Sequence, residues 1–291
     1  MMKTTPTPAE ELLDCSFLIL DKPRGPSTHE VTSHIRKLLG VKKVGQMGTL
    51  DPQASGVLVI GIGKAVRLLR FVDMKEKKYV GVLRTRQAPK NLAELQAEFN
   101  RQLGKITQMP PKASAVAKRA RQRKVYEYKA LELIHNTALF ESRVEAGTYV
   151  RVLCSEVGKA FGEGKMIELR RVSVGSFGEA QSLRLPDLAD AAWKFRKHGD
   201  ASALRKMLRP AHGMLQLPAI HAAEAALDAF ARGLPLAISG VGGAEAVRKT
   251  GEWMQAIDAS GRLVAIVEAK GSALYPRVVL KPAGGKRTRG E

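Results

Sequence analysis

A chain of 291 residues with 44% hydrophobic content is long enough to bury a sizeable core, which excludes a disordered chain and points to one large domain with a smaller one. Lysine and arginine outnumber aspartate and glutamate by 48 to 28, a net charge of +20 that attracts polyanions, so nucleic acid is the expected partner. No apolar run approaches the roughly 20 residues of a membrane-spanning helix, so no membrane partner is expected.

The start, Met1-Met2-Lys3-Thr4-Thr5-Pro6, lacks the apolar segment and small-residue cleavage site of a secretory signal, and a cytoplasmic location is expected. Cys15 and Cys154 have no Cys-x-x-Cys spacing, which leaves neither a disulfide framework nor a zinc ribbon. The six histidines, 29, 34, 135, 198, 212 and 221, form no His-Glu-x-x-His pattern, and no metal is expected.

Phe17-Leu18-Ile19-Leu20 reads as a buried strand, broken by the prolines and glycine of residues 21–26. A helix follows: Ser27 and Glu30 have capping-box spacing, Val31, Ile35, Leu38 and Leu39 recur at helical period, and Gly40 suits the C-terminal cap. The stretch Gly45-Gln46-Met47-Gly48-Thr49-Leu50-Asp51-Pro52 then places one acid on a stiff loop. Gly45 and Gly48 permit tight turns, and Pro52 biases Asp51 away from helix. Taken alone, Asp51-Pro52 reads as an ordinary turn opener.

Residues 57–62 read as a strand and 64–71 as a short helix. Gly61-Ile62-Gly63-Lys64 lacks the glycine and hydroxyl residue a phosphate loop requires, and Gly162-Glu163-Gly164-Lys165 fails similarly. Residues 78–83 read as a strand with Tyr79 near its start, and 91–103 as a helix ended by Gly104. No acid occurs from Phe99 to Tyr126, while Arg101, Lys105, Lys112, Lys118, Arg119, Arg121, Arg123 and Lys124 accumulate, a density that calls for solvent or phosphate screening. Residues 125–134 and 139–145 read as a hairpin. Val150, Leu153, Val157 and Phe161 then follow at helical spacing, so Arg151 falls in a first turn, where the helix dipole disfavours a cation. Arg151 therefore wants a partner.

Residues 168–173 read as a strand, and 187–198 and 201–208 as helices separated by Gly199. Beyond Pro218 the texture changes to an alanine-rich helix over 222–232, a short strand over 236–241, a hairpin of 253–259 with 262–269, and a strand over 275–280. Residues 282–291 have no apolar period and read as a disordered basic tail.

Gly48-Thr49-Leu50-Asp51-Pro52 followed by Gly56-Val57-Leu58 resembles the catalytic motif of the TruB and dyskerin family of pseudouridine synthases. Lys22-Pro23-Arg24-Gly25-Pro26-Ser27 resembles its first motif, which packs beside the catalytic loop. Further matching segments are Met109-Pro110-Pro111 with Ser114-Ala115-Val116, Arg123-Lys124-Val125-Tyr126, Gly147-Thr148-Tyr149-Val150-Arg151 and Leu169-Arg170-Arg171.

The resemblance implies an α+β fold: a mixed-sheet catalytic domain over 1–214, a small β-barrel-like PUA RNA-binding domain over 215–281, and the tail over 282–291. It implies isomerisation of uridine to pseudouridine in RNA, with no cofactor. Asp51 acts on the ribose, Tyr79 stacks on the target base, and Arg151 pairs with Asp51. Leu169 lines the base pocket, with Lys22 and Gln46 as further substrate contacts; Gln46 stands where the family usually has histidine. Lys118, Arg119, Arg121, Arg123 and Lys124 contact the RNA backbone.

Among family types the resemblance favours the dyskerin type, guided to ribosomal RNA within a box H/ACA particle and also able to act on the T-loop uridine of tRNA. Its implied partners are ribosomal RNA, transfer RNA, H/ACA guide RNA and the small H/ACA particle proteins. A stand-alone TruB-type tRNA enzyme and a non-catalytic RNA-binding subunit are the alternatives.

Overall fold

Along the first strand Phe17 and Ile19 alternate with Leu18 and Leu20, and the pleat sends the two pairs into different apolar clusters on opposite faces of one sheet. A strand buried on both faces reads as an unbroken apolar run, which is how this segment appears in the sequence. The computed structural model describes residues 9–110, 117, 119–241 and 250–280. Lys112, Ser114, Ala115, Val116 and Lys118 of the basic segment and the tail 282–291 lie outside the described residues.

In chain order the elements begin with α1 (Ala9–Asp14), β1 (Cys15–Lys22), α2 (Thr28–Leu39), β2 (Val44–Gln46), β3 (Ala54–Gly63) and β4 (Glu76–Thr85). They continue through α3 (Leu92–Asn100), β5 (Gly104–Gln108), β6 (Arg121–Ile134), β7 (Thr137–Glu145), α4 (Val150–Gly158) and β8 (Gly164–Val174). Short strands β9 (Phe177–Gly178) and β10 (Leu183–Arg184) lead to α5 (Leu185–His198), α6 (Ser202–Met207) and β11 (Arg209–Pro210). The last part comprises β12 (Ala219–His221), α7 (Glu224–Ala231), β13 (Leu236–Ala237), β14 (Trp253–Ile257), β15 (Leu263–Lys270) and β16 (Ala273–Val279).

Eleven of these strands form one mixed sheet with the central order β10-β1-β3-β8-β4-β7-β6-β5. The parallel β3–β8 and antiparallel β8–β4 ladders sit mid-sheet, so the loop entering β3, the start of β4 and the end of β8 come together. Helix α2 starts as expected: the Ser27 side chain accepts from Glu30 N, the Glu30 carboxylate accepts from Ser27 N, and Gly40 closes the helix in the left-handed region. Such a cap contributes about 1 kcal/mol.

The second sheet has five strands in the order β12-β14-β15-β16-β13. Its Ile266, Val278 and Leu280 share an apolar cluster with Phe17, Ile19, Val57 and Val59 of the first. The Arg67 guanidinium donates to the Val279 carbonyl at 2.8 Å, and the Phe71 and Trp253 rings meet at 5.1 Å between centroids. The fold is thus α+β with a curled C-terminal sheet, as the sequence implied.

Three local expectations change. Residues 64–71 form a 3-10 helix. The expected strand over 236–241 is a two-residue bridge followed by a 3-10 turn, because only Leu236 and Ala237 find partners on β16. The first strand of the expected hairpin starts at 121 rather than 125, so Arg121, Arg123 and Lys124 lie in β6, paired with β5. No helix of the described residues is long and apolar enough to cross a membrane.

Candidate active site

Asp51 stands on the loop between β2 and β3, and the backbone of that loop is tied down along its length. The Arg171 guanidinium donates to the carbonyls of Gly48 (2.7 Å) and Val57 (2.8 Å), bracketing the segment from both ends. Within it, the Thr28 hydroxyl accepts from Leu50 N (3.1 Å) and donates to Leu50 O (2.7 Å). Gly25 N donates to Pro52 O at 2.8 Å, and Lys22 Nζ donates to Ala54 O at 2.9 Å. The turn after β1 therefore packs on the acid-bearing loop, and it does so through backbone and buried polar groups.

Gly56 (φ 104°) sits where β3 meets β8. A Cβ there would stand 2.2 Å from the Arg171 carbonyl, so the crossing requires glycine.

Arg151 occupies the first turn of α4 and forms an ion pair with Asp51 through Nη2 and Oδ2. That is the partner its unfavourable helix position demands. Both side chains are close to half exposed, so the pair adds little to stability; its consequence is the aim of the carboxylate. The chain entering α4 is held by Gln108, whose amide donates to Tyr149 O (3.3 Å) and accepts from Tyr149 N (3.0 Å).

Beside this pair, Tyr79 and Leu169 are buried in one apolar cluster with Leu50 and Val150. Cross-strand pairing explains the proximity: Ala54 of β3 is opposite Leu169, and Tyr79 of β4 is opposite Arg171. An aromatic ring, a leucine and a carboxylate–guanidinium pair thus converge at one end of the β3–β8–β4 ladder. That arrangement can hold a flat apolar ring against a fixed acid.

Lys22 is fully buried and, among the described residues, donates only to the Pro23 and Ala54 carbonyls, so it props the loop rather than reaching solvent. Burial, with the nearby Arg171 charge, lowers its pKa. Gln46 donates from Nε2 to Thr49 Oγ1 at 3.1 Å, while its Oε1 is buried with no hydrogen-bond partner among the described residues. Arg119 and Lys124 are exposed, and Arg121 and Arg123 are partly covered. Arg121 lies opposite Gln108 in the ladder, which places this basic edge beside the start of α4.

Arg171, Lys77, Thr28 and Gln108 were not singled out from sequence. Arg171 is the largest fully buried side chain among the described residues, and Lys77 is only 8% exposed. Strand alternation carries a signal for two of them: Lys77 shares the face of Tyr79, and Arg171 that of Leu169. Thr28 and Gln108 act through the backbone of distant segments, and no local pattern marks them.

The model of the TruB family pseudouridylate synthase N-terminal domain matches residues 36–150, and that of the tRNA pseudouridylate synthase B C-terminal domain matches residues 151–216. A Pyrobaculum calidifontis protein named "Probable tRNA pseudouridine synthase B" is 39% identical over 263 residues, 90% of this chain and 79% of the relative. One of that name from Archaeoglobus fulgidus is 36% identical over 267 residues, 91% of this chain and 82% of the relative. Among solved structures, a Cbf5-Nop10-Gar1 complex aligns with a TM-score of 0.81 at 32% identity, covering 95% of this chain and 88% of the matched chain. An H/ACA RNP bound to a substrate RNA containing 2'-deoxyuridine aligns with a TM-score of 0.80 at 30% identity, covering 97% and 92%.

Proposed function

The chain belongs to the TruB family of pseudouridine synthases, and from that premise we propose that Asp51, Arg151 and Tyr79 carry out the isomerisation on a uridine of structured RNA within an H/ACA-type particle. The observation that carries the choice of residues is the convergence at the β3–β8–β4 ladder. The only acid on the tied loop is ion-paired to a first-turn arginine, beside a buried tyrosine and leucine.

In this reading the target nucleotide leaves its stack and enters between Tyr79 and Leu169. Tyr79 holds the base, and the Asp51 carboxylate acts on the ribose from a loop that needs no rearrangement. Arg151 keeps the carboxylate directed at the sugar. The bond from ribose to N1 breaks, the base turns, and a bond from ribose to C5 replaces it.

Recruitment rests on other surfaces. Arg119, Arg121, Arg123 and Lys124, with Lys118 beyond the described residues, track phosphates, and the five-stranded sheet over 215–281 serves as an RNA-binding unit of the PUA kind. The H/ACA assignment is supported by the likeness to the Cbf5-Nop10-Gar1 complex and to the H/ACA RNP, which extends over nearly the whole chain and includes this second sheet. The names of the relatives favour the second reading, a stand-alone enzyme acting on tRNA.

The two are separated by incubating the pure protein with ribosomal and transfer RNA transcripts, with and without guide RNA and the small particle proteins. Guide-dependent pseudouridine in ribosomal RNA supports the first reading. Guide-independent modification of tRNA alone supports the second. Modification of neither returns the chain to a non-catalytic RNA-binding role.

A further inference from the structure

Beneath Gly48 of the Asp51 loop lie two buried cations, Lys77 and Arg171, that have no carboxylate partner among the described residues. The backbone of Gly48 rests on them: a methyl group added there would stand 2.9 Å from Lys77 Nζ and 3.7 Å from Arg171 Nη1. Arg171 spends Nε and Nη1 on the loop carbonyls, but its Nη2 is buried with no acceptor among the described residues. Buried cations without a counter-ion are costly to desolvate, and such a cost persists where function requires it.

The nearby acids are engaged elsewhere. Glu76 and Lys78, the neighbours of Lys77 on β4, are opposite Glu145 and Arg143 of β7, and paired residues share a face, the one away from Lys77. Glu76 and Glu127 bind Arg143, Glu145 accepts from Lys124 N, and Asp73 accepts from Lys75 N. On β8, Arg170 is paired with Asp21 and Glu179. The charged groups left on the side of Lys77 among the described residues are Arg171, with the buried Lys22 behind it, and, on the loop above, Asp51 with Arg151. Burial and the Arg171 charge push the Lys77 ammonium down to about 8.

Resting on the function proposed above, we propose that Lys77 is a further catalytic residue, whose ammonium, backed by the free Nη2 of Arg171, donates to the uracil as the base leaves the ribose. When the C1'–N1 bond breaks, its electron pair departs on the ring, and the negative charge gathers on N1 and the carbonyl oxygens. C5 then joins C1' and loses its proton, and N1 gains one, so nothing is consumed. Tyr79 can stack but supplies no charge, and Arg151 is committed to Asp51. Lys77, two residues before Tyr79 on the same face, is the cation positioned for the departing base.

The test is single-turnover conversion of an RNA that the wild type modifies, followed from about pH 6 to pH 10 for wild type, Lys77→Met and Lys77→Arg. Wild-type rates should fall above pH 8 as the ammonium is lost. The methionine variant should be slower by about 100-fold at neutral pH, with RNA affinity within about twofold and no alkaline fall. The arginine variant should recover part of the rate and carry the fall to higher pH. A methionine variant within about threefold of wild type, or one that keeps the wild-type alkaline fall, overturns the role of Lys77. Should that variant not fold, an arginine variant that still falls above pH 8 overturns it alone. Wild type that modifies no RNA overturns both this role and the proposed function.

Discussion

The Thr28 hydroxyl makes two hydrogen bonds to a single distant residue, accepting from Leu50 N and donating to Leu50 O, one position before Asp51. A helix residue thus satisfies both polar groups of a buried loop position. Replacing Thr28 by valine keeps the shape and strands both backbone groups, which should cost about 1–3 kcal/mol of stability. Displacement of Asp51 should slow turnover by about 10- to 100-fold. Urea unfolding read beside single-turnover rates checks both, and a valine variant with unchanged rate would show the loop to be fixed without Thr28.

Asp51→Asn preserves size and removes the charge. Pseudouridine formation should disappear while melting temperature and RNA affinity stay close to wild type. Near-normal turnover in a single-turnover assay would remove Asp51 from the chemistry.

Arg151→Ala should slow the reaction by about 100- to 1000-fold through loss of a charge-assisted bond, with Arg151→Lys recovering only part of it. Stability should change by less than about 1 kcal/mol, because the pair is close to half exposed. A large loss of stability with an intact rate would reverse the assignment.

Lys77 also gives stability a pH dependence of unusual sign. Its pKa is about 8 in the folded chain against 10.5 for the free side chain. Between those values the unfolded chain holds more protons, so stability rises with pH. Wild type should therefore gain a few kcal/mol relative to Lys77→Met between pH 8 and pH 10.5, while its proposed activity falls. Denaturant titrations of both proteins across that window measure the difference, and parallel curves would mean Lys77 does not titrate there.

Neutralising Lys118, Arg119 and Arg121 together should weaken binding similarly across unrelated RNA sequences. It should lower the slope of log affinity against log salt by about two to three units, nearly one per lost phosphate contact. An unchanged slope would leave these residues as a solvated edge, and a changed sequence preference would make them readers of bases.

The main elements of the fold were legible because their signals are local. Ser27, Glu30 and Gly40 mark α2 by caps alone, and the unbroken run from Phe17 to Leu20 marks a strand covered on both faces. Arg151 announced its need for a partner through its helix position, and Asp51 answers it 100 residues away. The buried supports were not legible. Lys22 and Arg171 look like surface cations, and only the meeting of β3 with β8 and of the Lys22 turn with the Asp51 loop puts them inside. The strand character of Arg121 to Lys124 was hidden for a similar reason, since it depends on pairing with β5.

The apolar cluster that joins Ile266, Val278 and Leu280 to Phe17, Ile19 and Val57 makes the molecule a calliper. One jaw is the five-stranded sheet, the other is Asp51, and a close-packed core gives them no inexpensive way to swing apart. Any RNA gripped by the second sheet presents to the acid whichever nucleotide lies at that fixed span. Choice of target would then follow from the length of RNA between grip and acid as much as from its sequence, and adding a base pair within that span would move a correct uridine out of reach.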